Sequence, residues 1–334
     1  METGLVDDRT AIPQPVSMEG KLMETDFSKE FSKMQENEVS RHHSRGFNPV
    51  VGYLNRIIDK IDENADNGGD RSVAGLPTGF DHLDALTAGL QLGDLIILAG
   101  RPAMGKTALA LNIAEYAAME LNVPVGFFSI QMGATRLTRR MLGSIGNLDL
   151  QRLRTGNLQD EDWEKLTVAS GKITGAPLYI NETPKLDITE LRATAGMLAE
   201  QCGQIGLIII DYLQLIEQTV PDSDQTLPFS DITHQLKSLA EELNCPILLL
   251  SRLEGSIEQR LDKHPRLSDL DAYGPVEQYA DVVLFLYRDE IYHTKSLGKG
   301  TAELIVAKQP DGPIDTVKLA FYEKYARFES IMPS

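Results

Sequence analysis

Cysteine is scarce: the 334-residue chain has two, Cys202 and Cys245, with no Cys-x-x-Cys spacing and no histidine cluster beside them. A disulfide framework and a Cys/His zinc site therefore lack support, and two reduced thiols are expected. No uninterrupted apolar run approaches the roughly 20 residues that cross a bilayer. The opening METGLVDDRTAIPQ also lacks a basic-then-apolar leader pattern. No membrane partner and a cytoplasmic location are the expectation. Positive charge is in deficit, with 49 acids against 32 Lys and Arg and a formal charge of −17. Polyanion binding draws its affinity from Lys and Arg neutralising phosphates, so strong general nucleic-acid binding is disfavoured. A local basic channel within an acidic shell stays compatible with the total. Aromatics are few, and Trp163, His82, His264 and His293 read as packing or surface residues. What is plentiful is apolar character: 42% of the residues, enough core for one large domain or two ordinary ones.

The most informative stretch is LIILAGRPAMGKT, residues 95–107. LIILA is a short continuous apolar run, the mark of a strand buried on both faces, and ALALNIAEYAAMEL behind it has helical spacing. Between them Gly100, Gly105, Lys106 and Thr107 fit G-x-x-x-x-G-K-[ST]. In that arrangement backbone N–H groups and a helix N-terminus wrap phosphates while the lysine neutralises β/γ oxygens. Gly100, Arg101, Pro102, Ala103, Met104, Gly105, Lys106, Thr107 and Ala108 are accordingly the candidate nucleotide-binding residues. Thr107 would ligate Mg²⁺ through its hydroxyl. A chance glycine-rich turn is the bland alternative, and the strand and helix on either side argue against it.

Two strand ends add to this. GLIIIDYLQL puts Asp211 directly after a buried apolar run, where open α/β sheets place their chemistry; beside a phosphate loop it can order Mg²⁺ through water. An ordinary strand-ending Asp making a turn is the alternative. VPVGFFSIQM ends on Gln131, where hydrolysis would want a carboxylate. An amide can orient water but cannot take its proton.

Along the chain, residues 1–47 are polar without sustained period and read as a disordered arm. Within it Phe27, Phe31 and Met34 could form one face of a partner-binding helix, although a solvated tail explains them equally. Asn48-Pro49 reads as a helix start, followed by Val51, Leu54, Ile58 and Ile61 on one face and a polar link to about 70. That stripe must bury against its own core or a neighbouring subunit. A compact turn-helix-turn, 75–94, leads into the phosphate-loop strand. Strand-like runs at 123–130, 177–181, 206–216, 245–251 and 280–288 then alternate with helical segments. Runs at 301–309 and 316–328 close the chain as an antiparallel hairpin. No internal repeat is present. This pattern is an α/β fold with a mostly parallel sheet covered on both faces.

GLPTGF (75–80), GRPAMGKT (100–107), RTGNLQDEDW (154–163), IDYLQL (210–215), LKSLAEELNCPILLLSRL (236–253), SDLDAYGPVEQYAD (268–281), YRDEIYH (287–293) and KQPDGP (308–313) occur in an order that resembles the C-terminal motor domain of DnaB-type hexameric replicative helicases. The resemblance covers about 48–330. It implies a RecA-like P-loop NTPase core using ATP and Mg²⁺, with helix 51–61 as a linker packing on the adjacent subunit of a ring. The family's N-terminal helical domain is expected to be absent, with the 1–47 arm in its place.

Several positions depart from the family pattern. The family's S-L-E-M, with its catalytic glutamate, is Ser129-Ile-Gln131-Met here. Its S-Q-L-N-R, whose glutamine senses the γ-phosphate, is Ser251, Arg252, Leu253, Glu254 and Gly255. D-L-R-E-S-G in the DNA-gripping loop is replaced by a stretch with Asp271, Ala272 and Tyr273 before Gly274. K-Q-R-N-G-P, whose lysine and arginine reach a neighbour's nucleotide, keeps Lys308 but has Pro310 for the arginine. Gln131, Arg252 and Lys308 are therefore the candidate catalytic positions. The resemblance implies retained ATP binding with impaired hydrolysis and weak or absent single-stranded DNA binding, in a protein that assembles with itself, a replicative helicase or a loader. Two alternatives stand beside this. One is an active helicase unwinding DNA 5′ to 3′, with Arg252 acting in cis. The other is a RecA-like ATPase acting on a protein.

Overall fold

A computed structural model describes residues 49–51, 54, 58, 75–218, 226–293 and 295–331. The 1–47 arm, its 26–39 segment, and most of the 48–70 linker and link lie outside the described residues. Val50, Val51, Leu54 and Ile58 are helical and exposed, as the linker expectation requires of the positions described. They belong to a separate compact unit, Met1–Asp59; everything below concerns the second, Lys60–Ser334.

That second unit is built on one nine-stranded sheet. Its strands are β1 (Leu95–Gly100), β2 (Val125–Ser129), β3 (Leu178–Asn181), β4 (Leu207–Asp211), β5 (Ile247–Arg252), β6 (Val282–Tyr287), β7 (Thr301–Lys308), β8 (Thr316–Tyr322) and β9 (Arg327–Ser330). In space they run β3-β2-β4-β5-β1-β6-β7-β8-β9. From β3 to β6 all neighbours are parallel, and from β6 to β9 all are antiparallel.

β1 sits inside the sheet between β5 and β6, which explains its unbroken apolar run. Ile96 and Leu98 enter the core on one face, while Leu95, Ile97 and Ala99 enter the core on the other. Helices supply both cores: α1 (Asp81–Thr87), α2 (Lys106–Glu115), α3 (Ala134–Gly146), α4 (Leu150–Thr155), α5 (Asp160–Gly175), α6 (Ile188–Cys202) and α7 (Phe229–Leu243). α2 buries Ala108, Leu109, Ala110, Leu111, Ile113 and Ala114, so it is apolar nearly all round, as a helix enclosed by its neighbours must be.

Two segments differ from their sequence reading. The helix expected through Leu121 stops being α-helical at Glu115 and continues as a π turn, Tyr116–Glu120. There Tyr116 lies against Gly79, where a Cβ would come within 2.7 Å of its ring. The run 316–328, read as one arm of a hairpin, is two strands. A 3-10 turn at Glu323–Tyr325 and a left-handed Ala326 (φ 55°) break it and fold β9 back on β8. Among the described residues no helix is long and apolar enough to cross a membrane. Both cysteines are free thiols, Cys245 buried and Cys202 half-buried.

Candidate nucleotide-binding site

The C-terminal ends of β1, β2, β4 and β5 share one edge of the sheet. Gly100 lies opposite Arg252, and Ser129 opposite Asp211. Parallel pairing thus brings together positions far apart in the chain, at the edge where α/β folds bind ligands.

The loop after β1 is shaped by its two glycines. A Cβ at Gly100 would meet the Leu286 carbonyl oxygen at 2.8 Å. Gly105 has φ +104°, a left-handed conformation strained for any L side chain, and its Cβ would strike the Phe328 ring at 2.9 Å. α2 begins at Lys106 with its first amides lacking intrahelical acceptors. Gly105, Lys106, Thr107 and Ala108 donate to no loop carbonyl. Four N–H groups in series at a helix N-terminus form a cradle for phosphate oxygens. Met104 and Ala108 are buried and anchor the loop, while Pro102 and Ala103 are exposed on its rim.

Lys106 Nζ donates to the carbonyls of Gly100 (2.6 Å) and Arg101 (3.1 Å), which holds the ammonium inside the loop. Burial pushes its pKa down to about 8, against the opposing pull of Asp211; Arg252 and Arg101 push it lower still. Thr107 Oγ1 donates to Asp211 Oδ2 at 2.8 Å, so the two residues named for the metal are in direct contact. Burial raises the Asp211 pKa, opposed by the Thr107 hydrogen bond and by the charges of Lys106, Arg140 and Arg252. A hydroxyl and one carboxylate are hard oxygen donors suited to Mg²⁺, which takes few protein ligands and completes its shell with phosphates and water. Among the described residues no cluster of three His, Cys, Asp or Glu forms an all-protein cage, consistent with that kind of site. The residues present therefore fit a nucleotide with Mg²⁺.

Arg101 turns away from the cradle. Its guanidinium pairs with Glu258 and donates to the Leu253 carbonyl at 2.7 Å, tying the loop to the turn after β5. Gln131 is exposed just past β2, and its amide has no hydrogen-bond partner among the described residues. Next to it Ile130 N donates to the Asp211 carbonyl (3.1 Å), which fixes that segment beside the metal position. Arg252 Nη1 donates to the Tyr212 hydroxyl at 2.8 Å, and the guanidinium lies 5.0 Å from that ring's centroid. Its backbone N–H donates to Gln214 Oε1 at 3.1 Å.

Lys308 is engaged elsewhere. Its ammonium donates to the carbonyls of Glu277 and Ala280, both at 2.7 Å, capping the turn before β6. Asp271 is exposed in a tight turn, where its N–H donates to the Ser268 carbonyl, and Tyr273 packs edge-on against Phe229.

Two site residues escaped the sequence reading. Arg288, buried at the end of β6, donates to the Ala103 carbonyl (3.1 Å) while ion-paired to Glu290 and stacked over Phe321. Arg140 on α3 acts electrostatically on Asp211. Neither carries a local signal, because each meets the loop only through long-range packing.

Residues 75–330 match the family described as the DnaB-like helicase C terminal domain. The chain is 44% identical over 294 residues to the replicative DNA helicase DnaC of Bacillus subtilis (strain 168), covering 88% of this chain and 64% of the relative. It is 44% identical over 296 residues to the replicative DNA helicase DnaB of Geobacillus stearothermophilus, again 88% and 64%. The chain thus spans less than two thirds of the length of these relatives. Among solved structures it resembles a stand-alone ATPase domain, with TM-score 0.80 and 32% identity over 86% of this chain and all of that one (100%). It also resembles a DnaB-like replicative helicase described with its primase interactions (TM-score 0.77, 31% identity, 92% of this chain and 72% of that one). A KaiC-like protein of Pyrococcus horikoshii OT3 shares the fold at 18% identity and TM-score 0.52, over 78% of this chain and 99% of that one. With a RecA-like core and a phosphate loop already evident in its geometry, the chain belongs to the DnaB-like helicase C-terminal domain family.

Proposed function

We propose that this chain binds ATP with Mg²⁺, turns it over slowly, and serves DNA replication by assembling with itself or with a replicative helicase or loader. The observation that carries the reading is the convergence of Lys106, Thr107 and Asp211 on one pocket under the amides of α2. Lys106 and the loop amides hold the phosphates; Thr107 and Asp211 hold the metal, which offsets charge on the phosphate oxygens. Gln131 orients water but leaves its proton without an acceptor, and general-base assistance amounts to about 10²–10⁴-fold in rate. Pro310 brings no charge to a neighbouring site, where a cation in trans is worth about 10³-fold or more. The exposed Asp271 would repel a phosphate backbone rather than grip it.

In this reading residues 71–330 are the ATP-binding domain, 48–70 a linker helix and flexible link, and 1–47 an arm. The exposed Val51, Leu54 and Ile58 support ring contacts through helix 51–61. The second reading, an active translocating helicase, is favoured by 44% identity to a replicative helicase.

Binding and hydrolysis of ATP, measured in parallel with and without single-stranded DNA, separate the two. Tight binding with low turnover that DNA does not change is expected. Strong stimulation by DNA would overturn the first reading in favour of the second.

A further inference from the structure

The phosphate site contains a cation with no counter-ion. Among the described residues the arginines around it are paired: Arg101 with Glu258, Arg288 with Glu290, Arg260 with Asp269, Arg327 with Glu329. Arg252 is the exception. Its guanidinium meets only a neutral phenol, the Tyr212 hydroxyl and ring, and no carboxylate. Half-buried positive charge without a partner is costly, and an arriving anion relieves that cost.

Its place in the fold says which anion. Arg252 ends β5 directly opposite Gly100, the residue from which the phosphate loop departs, and Leu253 N donates to the Gly100 carbonyl at 3.3 Å. Tyr212, which steadies it, follows Asp211 in the chain, so the guanidinium lies between the loop and the metal position. The charge is felt at both Lys106 and Asp211. Arg140, also free of any ion pair among the described residues, acts on Asp211 from the α3 side. Lys308, by contrast, is held by two carbonyls of its own chain.

We propose that Arg252 supplies, within one chain, the positive charge that contacts the terminal phosphate, so that a single copy prefers a nucleoside triphosphate to a diphosphate without a neighbour's cation. The inference rests on the proposed nucleotide site. It assigns the pocket a state-reading role that slow turnover leaves intact, because the distinction is made by binding.

The test compares a non-hydrolysable ATP analogue with ADP, both with Mg²⁺, by calorimetry at concentrations where light scattering shows a single copy. The wild-type chain is expected to favour the triphosphate by about tenfold or more, the scale of one charge-assisted contact. Arg252→Ala and Arg252→Gln should lose most of that preference while keeping ADP affinity, which also reports an intact fold. Arg252→Lys should retain part of it, because charge rather than shape carries the effect. Undiminished preference in Arg252→Ala overturns the inference and leaves the nucleotide site standing. So does a wild-type preference that emerges only on assembly. Failure of the wild-type chain to bind either nucleotide overturns the proposed function and this inference together.

Discussion

Lys106 is poised between two partners. Carbonyl oxygens hold its ammonium and burial lowers its pKa to about 8, so it gains strongly when phosphate oxygens arrive. Lys106→Ala is therefore expected to weaken ATP by about 100-fold or more, measured by calorimetry, with an unchanged circular dichroism spectrum. Asp211 sets the metal dependence: chelating Mg²⁺ should weaken ATP binding in the wild-type chain and have little further effect in Asp211→Asn, since the carboxylate paired with Thr107 is what the ion requires. Gln131→Glu should raise turnover, but by less than the roughly 10²–10⁴-fold of a full general base, because Pro310 still lends no charge in trans. A complete recovery of helicase-like rates from that single change would show that the other departures do not matter. Of these residues, the loop and Asp211 were legible from spacing and strand ends. Arg140 and Arg288 were not, since nothing near them in the chain marks a residue whose partner lies far away in sequence.

At the scale of elements, α2 carries the site at its start and an unusual carboxyl at its end. Glu115 Oε2 accepts from Ser144 (2.7 Å) and Asn112 (3.2 Å), Arg327 lies nearby, and Oε1 has no partner among the described residues. Burial raises this group from an ordinary 4.5 to about 8. Between those values the unfolded chain is ionised while the folded chain keeps its proton, so stability falls as pH rises from about 4.5 to about 8 and levels off above. Glu115→Gln should flatten that slope, read from urea midpoints between pH 5 and about 8.5; a slope that persists would assign the dependence to another group. Gly105→Ala is expected to destabilise by about 1–3 kcal/mol in the same assay, since it forces a left-handed φ and meets Phe328 at 2.9 Å. The strands were readable because continuous apolar runs suit strands covered on both faces. The π turn was not, because Tyr116–Glu120 keeps helical apolar spacing and departs from it only where Tyr116 meets Gly79.

For the whole molecule the governing quantity is charge. A formal −17 and an exposed Asp271 predict weak binding to single-stranded DNA, with a shallow salt dependence equivalent to neutralising fewer than about two phosphates, measurable by fluorescence anisotropy across a salt series. A steep slope would instead reveal a basic channel formed on assembly. Amino-acid order alone determined the alternation of strands and helices, the phosphate loop and the identity of the family, because glycine spacing, apolar runs and motif order are local properties of the chain. Only the tertiary structure decided that Arg252 stands opposite Gly100 with no counter-ion, that Lys308 is held by its own chain, and that Arg288 braces the loop from β6. The reason is physical: a side chain's partner depends on which distant strand lies beside it, and strand order is settled by packing the two faces of the sheet together rather than by any neighbour along the backbone.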